Sequence, residues 1–561
     1  MSLQTKREWI LPEEKIDDAL EHILESRGVK EREKFLNPTL EDIPSYKRLF
    51  NSKKAAKEIV KHIEEGSKIV IYGDYDADGI SATAILWEFL YREVSSLLEK
   101  EVNVLPYIPD RVEQGYGLTE DSLNDLVALG ANLVITVDCG IRDKEIIQKF
   151  KKEKKINFVV TDHHQPPEDI EEGLDYTVVH QMFPKKEYPY LEISGTTVVY
   201  LLIQALIDEL GMEKNPYYGL DLVALTTVTD VMPLIGVNRV FVKLGLEEIR
   251  KGKRLGLRML ALRAGIQPED VSTYHLGFVL GPRINASGRI DSPMEAVRLL
   301  VSKNEQQCKD IANKLETMNF NRQQMTSVVF EEAREMVKDV SDNLLFAMGL
   351  EWHEGIIGLV AGKLQEEFYK PTIVITKKED LVKGSARSIK GFNITKALEK
   401  YDKYLDRYGG HELAAGFSTS EEKLDKFIDL ITKYANKTLD ESDLIPKLEI
   451  EILLELKDIK KSLVQDLNKL EPLGFGNPKP YVCLEKLNID RTFVIGKDEN
   501  HLKLLVKDDE NQLTLLLFRC SEDIELLKEG DTIDVVGYPD INVWNGKESM
   551  QFNVREWRYS N

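Results

Sequence analysis

Residues 69–85 read IVIYGDYDADGISATAI, and this stretch decides the fold of the first half of the chain. Asp74, Asp76 and Asp78 stand at every second position directly after a short apolar run that is typical of a buried β-strand. Three carboxylates this close repel one another and resist burial unless something neutralises them. The stretch therefore predicts a strand, a loop that bears ligands, and a helix of small residues that begins near Gly79.

The aspartate spacing imitates the first half of a calcium-binding loop, D-x-D-x-D-G. A calcium loop of that type carries a bidentate Glu at its twelfth position, where this chain has Ile85. A helix should also precede such a loop, whereas KIVIYG is β-branched and strand-like. The sequence therefore disfavours a calcium loop and directs the search to ligands elsewhere in the chain.

Composition bounds the class of protein. The chain has 561 residues, of which 42% are apolar and 30% charged, as is typical of a globular protein with several domains. We expect a cytoplasmic location, because the N-terminus lacks a signal-peptide core and no apolar run approaches about 18 residues. The four cysteines are far apart, which argues against a disulfide framework or a structural zinc site. A net charge of −21 argues against indiscriminate coating of nucleic acid but permits a local basic channel.

Changes of hydrophobic period along the chain predict an α/β fold class: two α/β domains joined by a long helix, followed by an all-β barrel-like module. The first α/β domain has five strand-like runs, KIVIYG, NVLPYI, NLVITV, NFVVT and DLVALTTVT, and its sheet should be mostly parallel. Residues 305–340 indicate one long helix or two joined ones. The predicted boundaries are 1–50 for an N-terminal segment, 51–290 and 342–440 for the α/β domains, 291–341 for the connecting helix, and 445–561 for the barrel.

Further acidic residues follow the other predicted strands of the first domain. Asp138 follows NLVITV, Asp162 with His163 and His164 follows NFVVT, and Asp230 follows DLVALTTVT. The carboxyl ends of parallel strands lie at one edge of a sheet, so these side chains should converge there. Carboxylates with imidazole suit Mn²⁺ or Mg²⁺, and this many ligands suits two ions about 3.5–4 Å apart. For a single position such as Asp138 the alternative is an ordinary helix N-cap.

These segments carry a family resemblance. DYDADG, VDCG, TDHH and VTDVMPL resemble the four motifs of the DHH phosphoesterase superfamily. Within it the chain is similar to the bacterial exonucleases specific for single strands, on the evidence of IPDRVEQGYGL (108–118), LGPRINASGRI (280–290), GSARS (384–388), YGGHELAAGF (408–417) and LEPLGFGNPKP (470–480). The resemblance implies a DHH catalytic domain, a DHHA1 substrate-binding domain and a C-terminal OB-like domain that binds nucleic acid.

The resemblance also implies roles for individual residues. It implies metal ligands at Asp74, Asp76, Asp78, Asp138, His163 and Asp230, with Asp138 bridging two Mn²⁺ or Mg²⁺ ions. It implies a catalytic group of Asp76, Asp78, Asp138, His163 and His164. His164 is expected near the scissile phosphate or in a supporting position. Substrate-binding positions are expected at Arg111, Arg283, Asn285, Arg289, Ser385, Arg387, Gly409, Gly410 and His411.

The chemistry of these substrate positions agrees with phosphate handling. Arg283 and Arg289 flank small residues, so a phosphodiester can approach the backbone while guanidinium groups hold its oxygens. Taken singly, an arginine beside a glycine is more commonly an ordinary surface residue. The basic stretch 238–263, with eight Lys or Arg against two Glu, either lines a path for the strand or forms a solvated helix face. The barrel aromatics either stack bases or form the barrel core, and they are Tyr538, Trp544, Phe552 and Trp557.

The resemblance implies a metal-dependent 5′-to-3′ exonuclease that hydrolyses single-stranded DNA to 5′-mononucleotides by two-metal activation of water, in DNA repair and recombination. The implied partners are single-stranded DNA, a DNA helicase and a single-strand-binding protein, with no membrane and a monomeric chain. Three alternatives remain open: a DHH phosphodiesterase for very short RNA or cyclic dinucleotides, a pyrophosphatase of the same superfamily, and a non-enzymatic scaffold like the eukaryotic replisome relative. The first usually lacks the OB-like module and the RINASGR run, and the last has degraded ligands.

Overall fold

The structure is a computed structural model of the full chain. It describes residues 2–12, 16, 18–110, 114, 117–167, 170, 173–183, 187–290, 292–378, 381–508, 510–544 and 546–560, without the side chains of Ile290 and Trp544. By internal contacts the chain divides into two compact units. The first consists of residues 1–30, 323–471 and 479–561, and the second of residues 31–322 and 472–478. We call the second the catalytic unit, after the catalytic domain that the resemblance implies.

The strands are, in chain order, β1 (Glu8–Ile10), β2 (Ile69–Gly73), β3 (Val104–Tyr107), β4 (Leu133–Val137), β5 (Asn157–Thr161), β6 (Thr177–Val179), β7 (Leu345–Leu350), β8 (Thr372–Lys378), β9 (Leu381–Arg387), β10 (Arg407–His411), β11 (Ala414–Ser420), β12 (Lys447–Glu449), β13 (Ile452–Leu454), β14 (Val482–Ile495), β15 (His501–Lys507), β16 (Gln512–Leu517), β17 (Thr532–Trp544) and β18 (Lys547–Tyr559).

The α-helices are α1 (Ala19–Ser26), α2 (Arg32–Leu36), α3 (Ser52–Glu64), α4 (Ala77–Glu88), α5 (Ser95–Leu98), α6 (Glu120–Ala128), α7 (Lys144–Lys154), α8 (Gly195–Leu210), α9 (Leu220–Thr229), α10 (Gly236–Arg250), α11 (Leu255–Arg263), α12 (Thr273–His275), α13 (Gly281–Ile290), α14 (Met294–Val301), α15 (Glu305–Val337), α16 (Glu354–Phe368), α17 (Ile394–Glu399), α18 (Glu421–Thr438), α19 (Lys461–Asn468) and α20 (Asp523–Leu526). Two segments are π-helical, Phe89–Val94 and Leu276–Leu280.

The catalytic unit is built on a five-stranded sheet in the order β3-β2-β4-β5-β6, and every pairing in it is parallel. Strands β2 and β4 are buried along their whole length, which explains their unbroken apolar runs. Helices cover both faces of the sheet in two apolar clusters. The predicted parallel α/β sheet is therefore confirmed, and the loops after β2, β4 and β5 meet at one edge.

One predicted strand is wrong. DLVALTTVT is not the fifth strand of the sheet but forms helix α9, and the strand at that edge is β6 instead. The prediction failed because residues 220–227 are all buried. A helix that is buried on every side lacks the alternation of apolar and polar residues that would identify it. Asp230 consequently follows a helix rather than a strand, as the C-cap of α9.

The other unit contains the second predicted α/β domain and the barrel. The sheet of that domain has the order β10-β11-β9-β8-β7, in which only β7 and β8 pair in parallel. The barrel runs β14-β15-β16-β18-β17 and closes through a β14–β17 pairing. The predicted connector is one continuous helix, α15, whose residues up to 322 belong to the catalytic unit. These features confirm the predicted fold class, whereas the exact domain boundaries stay predictions.

None of the helices in the described parts of the chain has both the length and the apolar character that crossing a lipid bilayer requires.

Candidate metal and active site

The loop after β2 presents the three opening aspartates at the edge of the sheet. Asp76 is the N-cap of α4, since its Oδ1 accepts hydrogen bonds from the backbone N–H groups of Asp78 at 2.9 Å and Gly79 at 3.1 Å. Oδ1 of Asp74 accepts the N–H of Tyr75 at 2.7 Å. The predicted helix therefore begins at Ala77, two residues before Gly79, and one of the three carboxylates helps to start it.

Asp78 is held by the N-terminus of helix α8. Its Oδ2 accepts the N–H of Gly195 at 2.6 Å and its Oδ1 accepts the N–H of Thr196 at 2.8 Å. The N-terminal N–H groups of a helix carry a partial positive charge, so they stabilise this buried carboxylate. The residues at the start of α8 were not predicted to belong to the site, although Ser194, which caps the helix, stands directly before a long apolar run and is a recognisable start signal.

Asp138 is the least satisfied carboxylate of the site. It is buried, and no described residue donates a hydrogen bond to its Oδ1. Nε2 of His163 lies 3.1 Å from that oxygen. The backbone of Asp138 is left-handed, with φ of 63°. The N-cap of the following helix, α7, is Asp143. Asp138 therefore does not act as the helix cap that the sequence left open, and its orphaned oxygen shares a small volume with an imidazole nitrogen.

Gly195 allows Asp138 to approach helix α8. A Cβ built on Gly195 would stand 2.6 Å from Oδ1 and 2.8 Å from Cβ of Asp138, both too close for any real side chain. The same glycine donates its N–H to Asp78. One glycine at the start of α8 thus brings two carboxylates of the site together.

Asp162 supports the two histidines that follow it. Its Oδ1 accepts hydrogen bonds from the N–H groups of His163 and His164 and lies 2.8 Å from Nδ1 of His164, while its Oδ2 accepts the N–H of Ile141 at 2.9 Å. A carboxylate in this position fixes the orientation and tautomer of an imidazole that serves as a ligand. Gln181 adds a further bond to this loop from its Nε2 to the carbonyl of His163 at 2.8 Å.

Asp230 completes the cluster from the end of α9. Its Oδ2 lies 3.6 Å from Nε2 of His163 and, like Oδ1 of Asp138, accepts no hydrogen bond from the described residues. The next residue, Val231, has φ of 56°, a backbone conformation that is costly for a β-branched side chain. Residues in such strained conformations cluster at functional sites. The turn after α9 therefore presents Asp230 to the same imidazole that Asp138 approaches.

The ligand atoms form three overlapping groups, in each of which all the atoms lie within 4.8 Å of one another. They are Asp74, Asp76 and Asp138; Asp138, His163 and His164; and Asp78, His163 and Asp230. Asp138 is shared by two groups, as is His163. The orphaned oxygens of Asp138 and Asp230 and the all O/N donor set fit divalent Mn²⁺ or Mg²⁺. The six predicted metal positions and His164 are therefore brought together, whereas Asp162 belongs to none of these groups of described residues.

The electrostatics separate Asp138 and Asp230 from Asp162. Burial raises the pKa of Asp138 well above its usual value, and the charge of Asp78 raises it further. Burial and the charge of Asp78 act in the same way on the pKa of Asp230. Burial also opposes ionisation of Asp162, but the hydrogen bond and charge of His164 outweigh it and lower the pKa of Asp162. For His164, burial lowers the pKa, yet Asp162 prevails and raises it to about 9.

Helix α13, which contains the GPRINASGR run, packs against the aspartate loop. Oδ1 of Asn285 accepts the N–H of Ala77 at 2.6 Å, and a Cβ on Gly288 would collide with the carbonyl oxygen of Tyr75. The guanidinium of Arg283 is paired with Glu316, with Nε to Oε2 at 2.5 Å and Nη2 to Oε1 at 3.1 Å. Asn285 thus supports the loop directly, and a phosphate role for Arg283 or for Arg289 on the same helix stays a prediction.

The substrate positions predicted in the second α/β domain share one sheet. Across three strands, Arg387 and His411 both stand opposite Ala414, while Ser385 and Gly409 both stand opposite Gly416. Opposed residues, and residues two apart on a strand, point to the same face, so this set lines one face of the sheet. Gly410 alternates to the other face. Strand β10 is exposed and lies at the edge of the sheet.

The remaining predicted positions divide differently. Arg111 and the side chain of Trp544 lie outside the described residues. Phe552 and Trp557 are fully buried in the barrel, as the core alternative predicts. In the basic stretch 238–263, Nε of Arg254 bonds Oδ2 of Asp221 at 2.5 Å, so this arginine anchors the helices rather than lining an open path.

Comparisons with known proteins agree with this geometry. Residues 68–227 match the DHH family, N-terminal domain, residues 341–437 match the DHHA1 domain, and residues 450–556 match the RecJ OB domain. The single-stranded-DNA-specific exonuclease RecJ of Bacillus subtilis is 35% identical over 508 residues, which cover 90% of this chain and 63% of the relative. The protein of the same name in Thermus thermophilus is 31% identical over 543 residues, covering 95% of this chain and 74% of that one.

Solved structures show the same likeness. The crystal structure of RecJ in complex with Mn²⁺ from Thermus thermophilus aligns with a TM-score of 0.81 and 28% identity, covering 97% of this chain and 76% of that one. The corresponding complex with Mg²⁺ gives a TM-score of 0.74 and 27% identity, covering 97% and 75%. Because the chain is 31% identical to the Thermus thermophilus protein across 74% of its length and carries the RecJ OB domain, it belongs to the RecJ family of exonucleases.

Proposed function

We propose that this protein is a metal-dependent exonuclease that removes 5′-mononucleotides from the 5′ end of single-stranded DNA, using two divalent ions held by the DHH site. The observation that carries the proposal is the position of Asp138. This buried carboxylate is shared by two ligand groups, and its Oδ1 accepts no hydrogen bond from the described residues. A bridging carboxylate of a two-metal site needs that arrangement.

The residues of the site divide the work in this proposal. Asp74 and Asp76 with Asp138 would hold one ion, and His163 with Asp230 and Asp78 would hold the other. Asp138 would serve both ions, because its Oδ1 lies 3.1 Å from Nε2 of His163. Bound ions of this kind lower the pKa of a water molecule and offset the charge that develops on phosphate oxygens. Oδ1 of Asp162 lies 2.8 Å from Nδ1 of His164 and orients this imidazole, so that its ring can contact a phosphate oxygen.

The substrate side of the proposal rests on the second α/β domain and on the relatives. Arg387 and His411 stand in the row next to Gly409 and Gly416 on the same face of the sheet, and the open backbone at Gly409 lets a phosphodiester approach closely. Preference for single-stranded DNA is carried over from the names of the relatives, and 5′ polarity from the family resemblance. A helicase and a single-strand-binding protein as partners, a role in repair and recombination, and a cytoplasmic location belong to the same proposal.

The decisive experiment is digestion of an oligonucleotide labelled at either its 5′ or its 3′ end, as DNA and as RNA, single- and double-stranded. We expect immediate release of the 5′ label as a mononucleotide from single-stranded DNA with Mn²⁺ or Mg²⁺, and none with chelator. The Asp138→Asn variant should bind the strand without cutting it. Release of the 3′ label first would overturn the polarity, and activity confined to dinucleotides or pyrophosphate would favour the rival phosphodiesterase or pyrophosphatase.

A further inference from the structure

Two aromatic side chains stand exposed on the helical segment that leads into α13. Tyr274 is 62% exposed and Phe278 is 73% exposed, although large apolar side chains are normally buried. Their rings are stacked on each other, with centroids 5.3 Å apart and planes inclined by 25°. One helical turn separates the two residues, so the pair presents a flat apolar face to solvent.

This aromatic pair is adjacent to the metal site. Gly277 and Gly281 pack against the last turn of α9, because a Cβ on Gly277 would lie 3.3 Å from Cγ1 of Val228 and one on Gly281 would collide with Thr229. The residue that follows Thr229 is the ligand Asp230. The segment that bears the exposed rings therefore lies directly against the turn that presents a metal ligand.

A loop from far along the chain extends the same apolar surface. Phe475, which is 61% exposed, belongs to the GFGNP part of a run that the site does not use. Its carbonyl accepts the N–H of Leu234 at 2.7 Å, and the carbonyl of the nearby Leu473 accepts the hydroxyl of Thr273 at 2.7 Å. This loop therefore bonds both the segment after Asp230 and the residue next to Tyr274.

Two more exposed apolar residues belong to this surface. Val231 is 59% exposed and Ile235 is 48% exposed, and they lie on the segment that the Phe475 carbonyl bonds. We call this surface, formed by Val231, Ile235, Tyr274, Phe278 and Phe475, the aromatic strip. Exposed apolar side chains gathered on segments that hydrogen-bond one another are typical of an interaction site in soluble proteins.

We propose that the aromatic strip is a base-stacking platform for the single strand beside the metal site, with Tyr274 and Phe278 as its principal contacts. The occupant is unpaired nucleobases, because every base has a flat π-face that stacks on an aromatic ring and only an unpaired strand exposes those faces. A duplex keeps its bases stacked internally, so the platform discriminates against double-stranded nucleic acid. The inference rests on the proposed function, since it names the substrate feature that this active site recognises.

The test measures binding of fluorescent oligonucleotides without turnover, in chelator, by anisotropy. It compares a thymidine oligomer with an abasic oligomer that has the same sugar-phosphate backbone. The chain should bind the thymidine oligomer more tightly, and the Tyr274→Ala/Phe278→Ala double variant should lose about tenfold or more of that affinity, because stacking is worth that much per base. Affinity for the abasic oligomer should stay the same, and Tyr274→Phe/Phe278→Trp should restore the preference.

Tyr217→Ala is the matched control. Tyr217 is also an exposed aromatic of the catalytic unit, at 43%, but it lies near the other end of α9, about 15 Å along the helix from Asp230. This variant should keep the preference for the thymidine oligomer. Thermal stabilisation by Mn²⁺, measured for all variants, verifies that the metal site is intact.

The outcomes separate the inference from the proposed function. If the unaltered chain cuts single-stranded DNA but the double variant keeps the full preference for bases, the platform is wrong and the nuclease assignment stands. Equal weakening for the thymidine and abasic oligomers also overturns the inference, because it shows loss of backbone contacts rather than of stacking. If the unaltered chain neither binds nor cuts single strands, the proposed function itself fails.

Discussion

Asp138 and Asp162 follow neighbouring parallel strands, yet their surroundings differ completely. Asp138 comes directly after β4, and its Oδ1 accepts no hydrogen bond from the described residues. Asp162 comes directly after β5; its Oδ2 accepts the N–H of Ile141, and its Oδ1 accepts the N–H groups of the two residues that follow it. The end of a parallel strand brings a carboxylate to the catalytic edge, but its hydrogen bonds decide whether it binds metal or orients another ligand.

The pKa directions express the same difference. The charge of Asp78 adds to burial and raises the pKa of Asp138, whereas His164 outweighs burial and lowers the pKa of Asp162. A carboxylate with a raised pKa is stabilised when a cation arrives, while one with a lowered pKa is already stabilised by the protein. Replacing each in turn should therefore give qualitatively different defects.

The largest effect is expected for Asp138→Asn, which should abolish cleavage in a gel-based nuclease assay. The variant removes the carboxylate that two of the candidate ligand groups share, and the proposed two-ion site depends on that carboxylate. It should also raise the free energy of unfolding without metal by about 1 kcal/mol, because it relieves repulsion with Asp78. Asp143→Asn is the control, since Asp143 lies on the same loop outside the ligand groups, and it should remain active. Cleavage by Asp138→Asn at the rate of the control would refute the bridging role.

A smaller effect is expected for Asp162→Asn. This variant keeps every predicted metal ligand but weakens the hydrogen bond to His164, so the apparent affinity for Mn²⁺ should fall by about 10- to 100-fold. Activity should recover at high Mn²⁺ concentration, as titration of the cleavage rate against metal will reveal. A loss of activity that excess Mn²⁺ does not restore would place Asp162 among the metal ligands. Asp162 and Asp138 would then have the same role.

The pH dependence of stability gives a third test. Without metal, the raised pKa values of Asp138 and Asp230 mean that the folded chain binds more protons than the unfolded chain. Their contribution to the free energy of unfolding therefore falls as pH rises above the ordinary aspartate value of 3.8. Mn²⁺ replaces those protons, so its increase of Tm should be larger at about pH 8 than at about pH 6. Calorimetry with and without Mn²⁺ measures this increase of Tm at each pH. An increase of Tm that becomes smaller as pH rises would contradict the raised pKa values.

The smallest effect is expected for Asn285→Ala. The substitution removes the acceptor for the N–H of Ala77 and should lower the free energy of unfolding by about 1 kcal/mol. Cleavage should slow while metal still restores it, because Asn285 supports the aspartate loop without binding an ion. Urea denaturation measures the free energy of unfolding, and titration of the cleavage rate against metal measures the effect on activity. Unchanged stability with a weaker affinity for DNA would instead favour direct contact with the substrate.

Much of this site could be predicted from the sequence, because strand ends and acidic residues are both local features. Asp74, Asp138 and Asp162 stand next to short buried strands, and the parallel sheet brings the carboxyl ends of these strands to one edge. The helical state of residues 220–229 could not be predicted, since a segment buried on every side has no amphipathic period. The role of Gly195 and the closeness of the Phe475 loop to the segment after Asp230 depend on packing between distant segments, which no local pattern encodes.

The measurement that tests the two-metal claim most directly is electron paramagnetic resonance of the Mn²⁺-loaded chain, with bound metal counted by elemental analysis. The account predicts two Mn²⁺ per chain with a spin-coupled signal in the unaltered protein. The same signal should appear in Asp162→Asn at saturating metal and be absent from Asp138→Asn. An unchanged coupled pair in Asp138→Asn, or a single uncoupled Mn²⁺ in the active unaltered chain, would contradict the central claim.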